Sequence, residues 1–132
     1  MIEKATHLLS QCKEVTLASV NADGFPRPVP LDKIHSLGCN EVWVVTAADS
    51  EKVADFRLNP QAGLSYSFYG DSVALRGTVE IITDDETRKL MWQEYFINYF
   101  PSGPADPNYV LVHFIGNEAT IWINREFAHI TI

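Results

Sequence analysis

Residues 43–60 read WVVTAADSEKVADFRLNP and predict a buried strand, a short polar loop and a short helix. The apolar, β-favouring run at 43–45 indicates the strand. Asp49 or Ser50 can act as the helix N-cap, since either side chain can accept a backbone hydrogen bond. The helix should end at Asn59, because a residue that precedes proline is disfavoured in the α conformation.

Lys52 falls in the first turn of this helix, where its positive charge opposes the positive end of the helix dipole. The position becomes favourable if an anion binds there. The Thr46 and Ser50 hydroxyls, the Lys52 ammonium and nearby backbone N–H groups would then converge on a phosphate. The alternative is an ordinary solvated lysine, since an exposed helix tolerates a dipole penalty of about 0.3–1 kcal/mol.

Composition favours one packed domain over residues 1–132, because 46% of the residues are hydrophobic and 20% are charged. The net charge of −7 and the lack of a basic run argue against binding to nucleic acid or to an anionic membrane. No apolar run reaches the roughly 20 residues that span a bilayer, and the N-terminal segment lacks a signal-peptide pattern. Cys12 and Cys39 form no CxxC pair, which favours a reducing compartment, so we expect a cytoplasmic protein.

The segments before residue 43 predict a helix and a hairpin. Residues 2–12 are amphipathic at helical spacing, and residues 14–20 alternate as a half-buried strand. Residues 21–24 form a turn in which Gly24 is free to take a positive φ. The next strand is therefore the hairpin partner of residues 14–20.

That partner strand carries proline at alternate positions, Pro26, Pro28 and Pro30. Backbone N–H groups of a strand point alternately to its two edges, so all three missing donors lie on one edge. Such a strand can pair fully on one side only, and its other edge must meet solvent, a ligand or another subunit. A proline-protected edge strand and a ligand site are both compatible with this pattern.

The segments after residue 60 predict two strands and a helix. Residues 61–69 alternate cleanly between apolar and polar side chains. Residues 72–83 form a long strand, in which Gly77 indicates a bulge or bend. Asp84 should cap a helix that runs to about Tyr99.

The C-terminal segment predicts a last hairpin. Residues 109–115 and 118–124 should pair across Gly116-Asn117, and the tail at 125–132 can add a short strand. About seven strands and three short helices are expected in the whole chain. This mainly β pattern, joined by tight turns, predicts an antiparallel sheet closed into a β-barrel with flanking helices at its rim.

Signatures of metal binding and of nucleophilic catalysis are missing from the sequence. His7, His35, His113 and His129 have no paired spacing, so no metal site is predicted. Neither a GxSxG motif nor a GxGxxG or Walker motif occurs. The remaining candidates are the polar segment at 46–52 and the proline-rich strand.

Together these motifs resemble the pyridoxamine 5′-phosphate oxidase-like, FMN-binding split-barrel superfamily, and most closely its small general stress proteins. The resemblance rests on Arg27-Pro-Val-Pro-Leu31 after a hairpin, on a strand that ends in Thr46, and on Ser50-x-Lys52 followed by Asn59-Pro60. It extends over residues 1 to about 124. It implies a six- to seven-stranded antiparallel split barrel that forms a homodimer, with FMN in clefts between the subunits.

The resemblance also implies a role for each matched residue. Thr46, Ser50 and Lys52 would hold the FMN phosphate or the adjoining ribityl chain. Arg27 and the backbone of Val29 would be polar contacts of the flavin, and Arg27 is the candidate positive group near the pyrimidine end of the ring. The implied cofactor-binding set is Arg27, Pro28, Val29, Pro30, Leu31, Val45, Thr46, Ser50, Lys52, Ser72, Arg76 and Trp122.

Three members of this set would act across the dimer. Ser72 and Arg76 match a strand that contacts the ring from the partner subunit, and Trp122 resembles an aromatic residue placed near the flavin in the same way. The alternative for Trp122 is an ordinary core or interface tryptophan.

The sequence also departs from the oxidase proper. Asp32 and Glu51 stand where the oxidase carries basic residues, and the tail at 125–132 has no match to its substrate-binding arginine and histidine. These departures argue against oxidation of pyridoxamine 5′-phosphate itself. Three functions stay open: an FMN-dependent oxidoreductase with a small-molecule electron donor or acceptor, a non-catalytic flavin-binding stress protein, and a barrel that binds haem or a deazaflavin.

Overall fold

The computed structural model describes all residues, 1–132, and its main feature is an antiparallel β-barrel. The strands are β1 (Glu14–Val20), β2 (Pro26–Leu37), β3 (Glu41–Ala47), β4 (Gln61–Phe68), β5 (Asp71–Ile82), β6 (Tyr109–Ile123) and β7 (Glu126–Thr131). They are arranged in the order β3-β2-β1-β4-β5-β6-β7, and pairing of β3 with β6 closes six of them into a barrel. The predicted mainly β, antiparallel split barrel of six to seven strands is confirmed, while a homodimer remains a prediction.

The interior of the barrel is filled by the apolar face of each strand. Side chains alternate along a strand, so β1 buries Val15 and Leu17 together with the hydroxyl of Ser19. Helix α1 (Ile2–Gln11) adds Leu8 and Leu9 to the same core. No helix of the structure has the length and apolar character that crossing a membrane requires.

The stretch at 43–60 folds as predicted. Strand β3 ends at Ala47, and Ser50 is the N-cap residue of helix α2 (Glu51–Leu58). The helix ends at Asn59, whose φ of −146° and ψ of 107° are extended. Val53 and Phe56 are buried on one side of α2, which packs on β1 and β5.

The split in the barrel lies between the first half of β2 and the end of β3. Residues 26–32 of β2 pair with β1, whereas β3 pairs only with residues 33–37 of β2. The end of β3, at 45–47, pairs only with β6. The proline-rich half of β2 therefore has a neighbour on one side only, as predicted from the missing N–H donors.

The helix predicted from Asp84 to Tyr99 is wrong in its extent. Asp84 does cap a helix, because its carboxylate accepts a hydrogen bond from the Thr87 N–H at 2.9 Å. This helix, α3 (Asp85–Met91), ends where Trp92 turns extended, and a 3₁₀ segment (Glu94–Asn98) follows. The break occurs because Trp92 and Phe96 pack edge to face on each other and join a second small core on the outside of the barrel.

The hairpin predicted across Gly116-Asn117 is also wrong, since β6 runs through both residues as one strand. The Gly116 N–H donates to the Asn40 carbonyl, and the Asn40 side-chain amide donates to the Gly116 carbonyl, each at 2.8 Å. The predicted irregularity at Gly77 is confirmed, because the β5–β6 register shifts between Arg76 and Gly77. The strand therefore bends at this point instead of reversing, and β7 supplies the seventh strand.

Candidate functional site

Three predicted site residues meet where β3 passes into α2. The Lys52 ammonium donates to the Thr46 hydroxyl at 2.9 Å, and the Thr46 and Ser50 hydroxyl oxygens lie 3.3 Å apart. Thr46 is 7% exposed, so the bottom of this arrangement is out of bulk water. We call Thr46, Ser50 and Lys52 the anion corner.

The charge of Lys52 has no counter-ion. No carboxylate lies within ion-pair distance of its ammonium, and its hydrogen-bond partner is the neutral Thr46 hydroxyl. Burial lowers the pKa of Lys52, and the nearby Arg27 guanidinium lowers it further. A partly buried cation beside a second cation is a favourable place for an anion.

Arg27 lies beside the corner, on the flank of α2. Its guanidinium forms an ion pair with Glu51, and its Nε lies 3.1 Å from an Asp55 carboxylate oxygen. That Nε–H is nevertheless buried and makes no hydrogen bond. Asp55 also accepts a hydrogen bond from the Ser19 hydroxyl at 2.7 Å. The Arg27 guanidinium beside the corner is thus flanked by two carboxylates, whereas Lys52 in the corner has none.

A cleft opens from the anion corner along the split in the barrel. Its volume is about 460 Å³, within the roughly 300–1,000 Å³ typical of ligand pockets. It is lined by Pro30, Leu31, Asp32, Val45, Thr46, Ala47, Tyr95, Tyr99 and Phe100. Thr46 belongs both to the corner and to the cleft, so a ligand anchored at the corner can extend into the cleft.

The free edge of β2 offers hydrogen-bond acceptors but few donors. In the β1–β2 ladder, the Asn21 N–H bonds to the Phe25 carbonyl and the Lys33 N–H bonds to the Lys13 carbonyl. The odd-numbered residues of this half of β2, including Val29, therefore direct both backbone groups to β1. The free edge is left with the carbonyls of the prolines, which have no N–H.

Residues 1–123 match the pyridoxamine 5′-phosphate oxidase family. The chain belongs to that family. No protein of curated function matches the sequence.

Several solved structures share this fold. A protein from Clostridium acetobutylicum related to general stress protein 26 of Bacillus subtilis superposes with a TM-score of 0.87 at 20% identity, over 99% of this chain and 94% of the other. General stress protein 26 from Bacillus anthracis gives 0.78 at 23% identity, over 97% of each chain. A pyridoxamine 5′-phosphate oxidase-related, FMN-binding protein from Nostoc punctiforme gives 0.73 at 18% identity, over 99% and 94%. At these identities the likeness establishes the fold alone.

Three residues of the implied family set lie apart from the anion corner. Ser72 and Trp122 are neighbours across the β5–β6 ladder, and Arg76 forms a 2.6 Å ion pair with Glu118 on the same outer face. The Arg76 side chain is 78% exposed. Within one chain these three make no hydrogen bond or ion pair with the corner, so their role toward a ligand remains a prediction that needs a second subunit.

Sequence reasoning missed Tyr95, Tyr99 and Phe100 as cleft residues, because it placed the first two in a continuous helix. The 3₁₀ segment instead brings them over the split. It also missed the paired carboxylates of Glu51 and Asp55 around Arg27. For the cleft residues the sequence did contain a signal, the cluster of aromatic residues just before Pro101, which is unusual for a solvent-facing helix end.

Proposed function

We propose that this protein binds FMN, with the phosphate at the anion corner and the ring system along the open edge of β2. The observation that carries the proposal is the partly buried Lys52 ammonium, which has no carboxylate partner. A phosphate monoester would supply the missing negative charge and accept hydrogen bonds from Lys52 and from the hydroxyls of Thr46 and Ser50. The family membership and an FMN-binding relative of the same fold support the choice of ligand.

The residues around the corner fit a phosphate in chemistry and in reach. The Arg27 guanidinium lies close to Lys52 and adds a second positive charge beside the corner. Glu51 and Asp55 offset the Arg27 charge, so we assign the main attraction to Lys52. Apolar lining residues such as Leu31 and Val45 are suited to a planar ring that must be kept from water.

Bound flavin would supply hydride or electron transfer, which needs no protein nucleophile. The chain's own residues would then hold the phosphate, orient the ring against β2 and exclude water from the cleft. We therefore propose a flavin-dependent oxidoreductase that acts on a small molecule. The departures at Asp32 and Glu51 argue against pyridoxamine 5′-phosphate as that molecule.

A second candidate is a flavin-binding protein without turnover. It is favoured by general stress protein 26 from Bacillus anthracis, which shares the fold and whose name states no enzymatic activity. Both candidates include a homodimer in which the partner's copy supplies Ser72, Arg76 and Trp122 to the cofactor.

The two cysteines bear on the cellular compartment. Both are buried free thiols, which supports a reducing, cytoplasmic setting.

The absorbance spectrum of the purified protein tests the ligand directly. An oxidised flavin spectrum, and release of FMN on denaturation, are the expected results, whereas a haem or deazaflavin spectrum would refute FMN. Anaerobic addition of NADH or NADPH then separates the two candidates. Bleaching of the bound flavin at a catalytic rate supports the oxidoreductase, and a flavin that stays oxidised supports the protein without turnover.

A further inference from the structure

The mouth of the cleft carries three polar side chains that have no partner in the protein. Asp32, Tyr95 and Tyr99 line the cleft and are all exposed. Neither the Asp32 carboxylate nor either phenol makes a hydrogen bond or an ion pair with the rest of the chain. We call these three residues the rim.

The rim and the free edge of β2 beside it carry a negative charge and hydrogen-bond acceptors. Asp32 is the only charged residue among those that line the cleft. Partial burial and the neighbouring Asp32 carboxylate raise the pKa of Tyr95. This phenol would be neutral at physiological pH even at its ordinary pKa of about 10. The neighbouring Pro30 adds a carbonyl that has no N–H beside it. Negative charge and acceptors therefore predominate where a second molecule would approach.

We propose that the rim receives the positively charged group of a small organic cation, and that Asp32 excludes carboxylates and phosphates from the same place. The inference rests on the flavin function proposed above, because it names the substrate class of the same cleft. An ammonium group is a donor without acceptors, so it matches both the carboxylate and the proline carbonyl. The faces of Tyr95 and Tyr99 attract a cation through the ring quadrupole.

The alternative, an anionic substrate, meets repulsion at two ranges. Close to the cleft it faces Asp32 without a neighbouring lysine or arginine in the lining. At longer range it meets the net charge of −7, which favours the approach of cations. The cationic residues near the cleft are Lys52, in the anion corner, and Arg27, beside it, where we propose that the FMN phosphate binds.

A pair of matched probes tests the proposal without any turnover. 4-Fluorobenzylamine is a cation at neutral pH and 4-fluorobenzoate is an anion of similar size, and ¹⁹F NMR titration gives a dissociation constant for each. We expect the native protein to bind the cation more tightly by up to about fivefold, the scale of an exposed ion pair. Asp32→Asn should remove most of this preference. Asp23→Asn, a matched charge loss in the exposed β1–β2 turn, should leave it unchanged.

The titrations are run on the FMN-loaded and on the flavin-free protein. On the FMN-loaded protein, in which the phosphate fills the anion corner, equal binding of the two probes, binding of neither, or a preference that survives Asp32→Asn would overturn the proposal. Tyr99→Leu, which removes an exposed ring at similar bulk, should weaken the cation roughly two- to fivefold and leave the anion unchanged. If the protein takes up no flavin, the FMN function fails. The anion corner is then open to 4-fluorobenzoate, so on the flavin-free protein the rim is judged by the cation alone, whose affinity should still fall in Asp32→Asn and stay unchanged in Asp23→Asn.

Discussion

Replacement of Lys52 by alanine should weaken FMN binding far more than riboflavin binding. The two ligands share the ring and the ribityl chain, but riboflavin has no phosphate. In the structure the Lys52 ammonium is partly buried, 2.9 Å from the Thr46 hydroxyl, and without a carboxylate partner. A phosphate at the anion corner would therefore be its only ionic partner.

The magnitude follows from that geometry. A hydrogen bond to a charged group contributes about 1.5–3 kcal/mol, which is roughly 10- to 100-fold in dissociation constant. The upper half of this range applies if the phosphate is as sheltered as Thr46, and the lower half if water reaches it. Riboflavin affinity should change by less than about threefold, well under the tenfold that 1.4 kcal/mol represents.

Quenching of flavin fluorescence measures both dissociation constants on the same preparation. Lys52→Met keeps an unbranched side chain that is only one atom shorter and should reproduce the selective loss, which separates charge from packing. Lys4→Ala removes an exposed lysine on α1 and should change neither constant. Equal losses of FMN and riboflavin in the Lys52 variants would refute the phosphate assignment.

Three further predictions follow from other parts of the structure. Arg27→Ala should weaken FMN binding and shift the midpoint potential of bound flavin by less than about 10 mV, because Arg27 lies beside Lys52. A fall in the potential near 30 mV, which is the equivalent of about 1.4 kcal/mol for a two-electron couple, would instead place Arg27 at the flavin ring. Gly77→Ala should lower the free energy of unfolding, measured in urea, by about 3 kcal/mol, because the new Cβ would overlap the Ile115 carbonyl oxygen and lie 2.7 Å from Gly116 Cα. The control Gly63→Ala, whose Cβ would make only 3.8 Å contacts, should lower it by less than about 1 kcal/mol. Sedimentation at micromolar concentration should give a dimer, and a flavin-loaded monomer would contradict the proposed contribution of the partner subunit.

The anion corner could be predicted from sequence because all of its parts are local. Thr46, Ser50 and Lys52 span one strand end, one turn and one helix start, and the geometry of such a junction depends little on the rest of the chain. The split was predictable for a similar reason. The missing N–H groups of Pro26, Pro28 and Pro30 are a property of the residues themselves.

The rest depended on tertiary contacts that a local pattern does not contain. Apolar spacing continues past Met91, yet the packing of Trp92 and Phe96 against Tyr109 breaks the helix and carries the tyrosines to the cleft. Gly116-Asn117 is suited equally to a hairpin turn and to a bulge. The choice is made by Asn40, which lies far away in the chain and bonds both backbone groups of Gly116.

The position of Thr46 on β3 has a consequence for how the molecule assembles. Thr46 is paired with Val110 in the ladder that joins β3 to β6, and this ladder connects segments about half the chain apart. Pairings between distant segments form late in folding, because the chain loses the entropy of loop closure before the new contacts stabilise it. A partly folded chain that lacks this ladder can still form helix α2 with Lys52, but the Thr46 hydroxyl is not yet sheltered from water. A ligand at the corner would therefore select the closed barrel, and would slow amide exchange in β3 and β6 more than in the β1–β2 hairpin.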